Sequence, residues 1–202
     1  MSPTPIQALT YFASAIGIYS SISIFLTINH FRKPDNPSDN PSFLPLFAFS
    51  VLTILGNATY VYGIVQRALS ASSSPPDSYQ LALILVLQIA SHSLWSWAQR
   101  TVSPKQFTRA MSKDTPKFLV TTGPYAYVRN PFYTAYLMTY AATAILAGRT
   151  VDFVLLGGFY VCYYLVSLSE QRKFERSGVR GEYAAFRKTR ARFFCGGVLG
   201  GG

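Results

Sequence analysis

The sequence predicts an all-α, polytopic membrane protein with about five transmembrane helices, on three observations. Half of its residues are hydrophobic and 13% are charged, whereas roughly a quarter are charged in a soluble domain. Five stretches approach the ~20 mostly apolar residues that a spanning helix needs, or ~17 at the short end. Lys and Arg are alternately dense and sparse from one connection to the next, the pattern that fixes orientation in a bilayer.

The five stretches are Ala8 to Ile28, Phe43 to Val65, Tyr79 to Ala98, Phe132 to Ala147 and Val151 to Ser169. The first three contain no Lys, Arg, Asp or Glu. The first is too long for a typical signal-peptide core and lacks a basic start, so it reads as a retained span. The last two are parted only by "GRTVD" and read as one helical hairpin with Asp152 near its turn. The connection after the first span, the segment 99–131 and the tail after 169 hold 16 Lys and Arg, and the remaining segments hold two, Arg67 and Arg149. Five spans with that asymmetry put the N-terminus outside or in the lumen and the tail in the cytosol.

The formal net charge of +10 does not imply a nucleic-acid partner. The cations border apolar spans, where orientation and attraction to anionic membrane lipids account for them. Cys162 and Cys195 lack metal-ligand spacing and suggest no disulfide framework. Cys195 is not fourth from the end, as a prenylation box requires.

Three regions follow. Residues 1–98 carry three spans joined by the turn-forming linkers "RKPDNPSDNPS" (32–42) and "SASSSPPDS" (70–78). Residues 99–194 hold a basic cytosolic loop long enough to be functional, the final hairpin and a basic C-terminal helix, and 195–202 is a Gly-rich tail. The tail segment 170–194 reads as a helix interrupted near Gly178 and Gly181 and lying at headgroup level, with Phe174, Tyr183, Phe186 and Phe193 as its apolar positions. The hairpin is expected to bring Glu170 beside the stretch "TTGPYAYVRNPFYTAYL" (121–137).

Within that stretch, Asn130 and Pro131 suit an N-cap and the first helical position. They leave unexplained why Tyr125, Arg129 and Tyr133 recur every four residues beside Gly123-Pro124. A stop-transfer Arg between interfacial tyrosines is one explanation; one wall of a binding site is the other. Gln88 and His92, four apart on one helix face, suit interhelical hydrogen bonds more than a pocket. Trp95 and Trp97 read as interfacial anchors, and Tyr160, Tyr163 and Tyr164 as packing.

"LVTTGPYAYVRNPFYTAYL", followed after one span by "EQRKF" (170–174) and then "GEYAAF" (181–186), resembles the isoprenylcysteine carboxyl methyltransferases and their phospholipid methyltransferase relatives. The resemblance covers about residues 95–194. It implies S-adenosylmethionine as methyl donor and a lipophilic acceptor entering from the bilayer, foremost the carboxylate of a C-terminal S-isoprenylcysteine. The implied location is the endoplasmic reticulum membrane. No G-x-G-x-x-G follows a strand, so a soluble dinucleotide-type site is not expected. By resemblance, Leu119, Val120, Tyr125, Asn130, Pro131, Phe132, Tyr133 and Glu170 touch the cofactor, and Arg129 and Glu170 are the catalytic residues, Arg129 holding a carboxylate of donor or acceptor.

Three positions depart from the family pattern. Asn130 replaces a His, Gln171 replaces the second acid of an acidic pair, and Val166 stands where the prenylcysteine enzymes have an Arg one turn before the Glu. A phospholipid amine or a small lipophilic metabolite therefore remains as alternative acceptor. Two other classes compete. NADPH-dependent sterol reductases share a similar "R-x-P-x-Y" entry, but their cysteine-containing acidic block and "K-Y-G-x-x-W" segment are missing here. A non-catalytic membrane scaffold would need the basic loops only for topology.

Overall fold

A computed structural model describes residues 5, 8–9, 12–20, 43–70, 76–102 and 115–194, with only the helical backbone at 43–48. The second half of the first expected span, the 32–42 linker, most of the 70–78 linker, residues 103–114 of the basic loop and the Gly-rich tail with Cys195 lie outside these residues.

Every regular element among the described residues is helical. They are α1 (12–20), α2 (Phe43–Leu69), α3 (Ser78–Thr101), a 3-10 turn (Gly123–Ala126), α4 (Pro131–Ala147), α5 (Thr150–Glu175) and α6 (Arg180–Thr189). α3 starts where Asp77 and Gln80 form a capping box, Gln80 N–H donating to Asp77 Oδ1 at 2.7 Å and Asp77 N–H to Gln80 Oε1 at 3.3 Å. α4 begins at Pro131 and ends at Gly148, whose φ of 71° is the left-handed cap that glycine adopts without strain. The hairpin expected from "GRTVD" is present. Its second arm runs six residues past Ser169, so Glu170 lies inside α5 rather than beyond it.

α4 is the central helix, with 14 of its 17 residues buried. It packs most extensively on α3 and also contacts α2 and α5. Its Ala and Thr residues let α3 approach closely, as small residues do between membrane helices. Ser91 Oγ donates to the Ala135 carbonyl at 2.7 Å and sits 2.6 Å from Thr139 Oγ1, tying α3 to α4. Across α2, α4 and α5 the core is an aromatic stack: Tyr140 lies parallel to Phe159 at 4.2 Å, with Tyr60 stacked on both. An added Cβ at Gly56 would fall 2.5 Å from the Phe159 ring, so this glycine lets α2 approach α5.

α3 and α5 are long and apolar enough to cross a membrane, at about 36 and 39 Å, and in each 28% of the most apolar window is buried. A soluble core helix would be mostly covered. α5 instead turns Val154, Val161 and Leu165 outward, the contiguous apolar surface that marks a membrane contact.

The two sparse-side cations are both partnered. Arg149 makes a two-pronged contact with fully buried Asp152 (Nε–Oδ2 and Nη2–Oδ1, each 2.8 Å) and donates to the Thr59 carbonyl at 2.7 Å. Tyr60 donates to the Asp152 carbonyl at 2.9 Å, and Arg67 donates to the Leu146 carbonyl at 2.8 Å, beside the end of α4.

Two local expectations change. Trp95 is not an interfacial anchor: it is part-buried against the core and meets Phe132 edge-on at 6.5 Å. Trp97 stays exposed and pairs with Tyr127 at 5.9 Å. The tail does not offer its aromatic side to lipid headgroups, because Tyr183, Phe186 and Phe193 are buried and Phe174 stacks on Tyr183 at 4.7 Å. The break between α5 and α6 spans 176–179, with Gly181 already inside α6.

Candidate active site

The cleft lies at the end of the hairpin opposite Arg149 and Asp152. One wall is the chain leading into α4. Thr122 is extended, Gly123 turns with φ of 60°, and the 3-10 turn delivers Tyr125 before Arg129 and Asn130. A Cβ on Gly123 would stand 2.4 Å from Thr101 Oγ1, so close packing on α3 and the backbone conformation both require glycine. Gly123→Ala is expected to cost about 1–3 kcal/mol of stability, read by thermal unfolding in detergent. Gly181→Ala, where an added Cβ meets nothing within 4 Å, should cost far less.

The opposite wall is α5. Ser167, Glu170, Gln171 and Phe174, at positions i, i+3, i+4 and i+7, lie on one face, and α6 adds Tyr183 and Phe186. All nine residues expected to form the site line this one cleft: Leu119, Val120, Tyr125, Arg129, Asn130, Pro131, Phe132, Tyr133 and Glu170. The expected meeting across the hairpin is direct, since Tyr133 O–H donates to Glu170 Oε1 at 2.7 Å.

Tyr125 keeps its proton at neutral pH, because burial and then the nearby Glu170 charge push its pKa up. The cleft thus presents a carboxylate beside two phenols, one of which donates to it. Burial raises the Tyr183 pKa, while the positive charge of Arg129 opposes the shift. Arg129 Nε is buried without a hydrogen-bond partner among the described residues. Such an orphaned donor is costly unless a ligand or water accepts from it.

Asn130 occupies the N-cap position, but its side chain does not cap α4. Its Nδ2 donates to the Arg192 carbonyl at 3.1 Å. Val166 is buried among Tyr133, Tyr163 and Phe159 in the aromatic core. Gln171 Nε2 donates to Glu175 Oε1 at 2.9 Å, and Gln171 Oε1 accepts from Arg192. Gln88 and His92 lie away from the cleft. Ser20 Oγ of α1 sits 3.2 Å from Gln88 Oε1 and 3.1 Å from His92 Nε2, so the pair serves interhelical hydrogen bonding. Tyr163 packs inside the core, whereas Tyr164 lies under the Arg192 guanidinium at 4.8 Å.

Sequence reasoning missed Ser167, Lys173, Phe174, Tyr183 and Phe186 as lining residues. The helical period counted from Glu170 would have found Ser167 and Phe174. Sequence reasoning took Phe193 as an apolar position of the tail and missed that Ala191 and Arg192 reach the wall before α4.

Residues 79–177 match the family model described as phospholipid methyltransferase. Searches of curated proteins and of solved structures found no match to the chain. The matched region contains α3, the cleft's first wall, the hairpin and Glu170. This match, over just under half of the chain, is consistent with the membrane methyltransferases that the sequence resembles.

Proposed function

We propose that the cleft binds S-adenosylmethionine and that the protein transfers its methyl group to a lipophilic acceptor arriving from the bilayer. The observation that supports this best is the gathering of Tyr125, Arg129, Tyr133 and Glu170 around one cleft at the end of apolar helices. Bound there, the donor would supply an electrophilic methyl group on a sulfonium. The residues present suit it: aromatic faces attract a cation, Glu170 can pair with an ammonium or accept from ribose hydroxyls, and the orphaned Arg129 Nε can donate to a carboxylate.

Methyl transfer of this kind is an in-line displacement, so the protein's tasks are alignment and exclusion of water. The Tyr133 hydroxyl fixes the Glu170 carboxylate, and Phe132, Phe174 and Phe186 wall the cleft with apolar surface. A carboxylate acceptor is already an anion and needs no general base, whereas an ammonium acceptor must first lose a proton. The cations lining the cleft, Arg129 and Lys173, favour a carboxylate, and a C-terminal S-isoprenylcysteine is the first acceptor to try.

In this reading five helices span the endoplasmic reticulum membrane, with the N-terminus lumenal and the cleft cytosolic. Arg129 and Lys173 line the cleft, while Arg67 and Arg149 lie at the opposite end of the hairpin. Purified protein incubated with labelled S-adenosylmethionine tests the function against a farnesylcysteine analogue, a phosphatidylethanolamine and simple lipophilic acids. Transfer to the farnesylcysteine analogue is expected. Transfer to the amine alone would reassign the acceptor, and NADPH binding without donor binding would overturn the methyltransferase reading.

A further inference from the structure

We propose that Arg192 is a positioning residue, which ties the wall carrying Arg129 and Asn130 to the wall carrying Glu170 and so sets the width of the cleft. Only the identity of the cleft's ligand rests on the methyltransferase reading. Residues 191–193 lie beyond the matched family segment, which ends at 177.

Residues 191–193 form a strap that reaches the first wall through its main chain. Val128 and Ala191 pair as a parallel β-bridge, and Arg129 N–H donates to the Ala191 carbonyl at 2.8 Å. The Arg192 carbonyl accepts from both Asn130 N–H and Asn130 Nδ2, each at 3.1 Å. Thr134 Oγ1 donates to the Phe193 carbonyl. The backbone just before α4, and with it the helix that carries Tyr133, is therefore held by the strap.

The same residue reaches the second wall through its side chain. Arg192 Nη1 donates to Ser167 Oγ at 2.7 Å and Nη2 to Gln171 Oε1 at 3.1 Å. Ser167 and Gln171 are one turn apart on α5 and bracket Glu170. Two acceptors one turn apart suit the planar fork of a guanidinium, and the Tyr164 face 4.8 Å away restrains it further. A Lys there could reach one acceptor at a time. Phe193, next along the strap, is buried in the core and meets Tyr160 edge-on at 5.8 Å, which anchors the strap's end.

The test uses the full chain in detergent with two readouts, amide hydrogen exchange at Arg129 and Asn130 and affinity for S-adenosylmethionine. Arg192→Ala should raise exchange at those two amides and weaken donor affinity, each by about tenfold, the scale of one charge-assisted hydrogen bond. Exchange in the middle of α3 and α4 should not change. Arg192→Lys should fall between wild type and Arg192→Ala. Ser167→Ala with Gln171→Leu should reproduce the Arg192→Ala effects and add little to them, which also keeps the test available if Arg192→Ala does not fold. Wild-type exchange and affinity in the variants would overturn the proposal. If wild type binds no donor but the exchange changes appear as stated, the donor reading fails and the positioning role stands.

Discussion

Glu170→Gln is expected to lower methyl transfer by at least about 100-fold, the loss that follows when reacting groups are misplaced by roughly an ångström. The substitution keeps the shape of the side chain and removes the charge that accepts from Tyr133 O–H at 2.7 Å. Arg129→Ala should cause a comparable loss, because it deletes the guanidinium whose Nε lacks a partner in the cleft. Both side chains are half-buried at the cleft rather than in the aromatic core, so the variants should unfold close to the wild-type temperature. Full activity in both would place the chemistry elsewhere.

The second large effect is on stability. Arg149→Ala is expected to cost about 3 kcal/mol, the lower end of the range for breaking a buried ion pair, since Arg149 is a quarter exposed and Asp152 is not exposed at all. The loss has two sources. The Asp152 carboxylate keeps its burial and loses both guanidinium contacts, and the Thr59 carbonyl of α2 loses a donor. Replacing Arg149 and Asp152 together by Leu should recover much of the loss, because no buried charge is then left unpaired. Chemical unfolding in detergent reads both. Donor affinity of the folded Arg149→Ala protein should stay near wild type, as this pair sits at the opposite end of the hairpin from the cleft.

Much of the fold was legible because apolar length and helix punctuation act locally. The expected limits of the second, third, fourth and fifth stretches fall within a few residues of α2, α3, α4 and α5 at most ends, with Pro131 starting α4 as written in the sequence. The exception is the end of α5, where charged residues 170–175 continue the helix beyond its apolar part. Hydropathy tracks lipid contact, and a helix need not stop where its apolar run does. The gathering of the expected residues around one cleft was legible for a different reason. Tyr125, Arg129, Tyr133 and Glu170 belong to blocks whose order resembles a known family, and a tight hairpin must bring those blocks together.

What was not legible depends on tertiary partners. Asn130 has the sequence signature of a helix cap, yet its amide turns to the Arg192 carbonyl because the strap offers an acceptor there. Trp95 has the composition of an anchor but faces Phe132 rather than the interface. The aromatic residues of the tail have the spacing of a lipid-facing helix, and Phe174 and the hairpin cover them first. Arg192 resembles any other cation of a basic tail until Ser167 and Gln171 are seen beside it.

Photo-crosslinking of a labelled S-adenosylmethionine analogue to the full-length protein, followed by peptide mapping, tests the central claim most directly. The account predicts labelling confined to Val102 and the segments 116–133 and 167–186, which hold the residues lining the cleft, with labelling suppressed by unlabelled donor and by Glu170→Gln. Donor-suppressible labelling at the opposite end of the hairpin, around Arg67, Arg149 and Asp152, or labelling unaffected by Glu170→Gln, would contradict it.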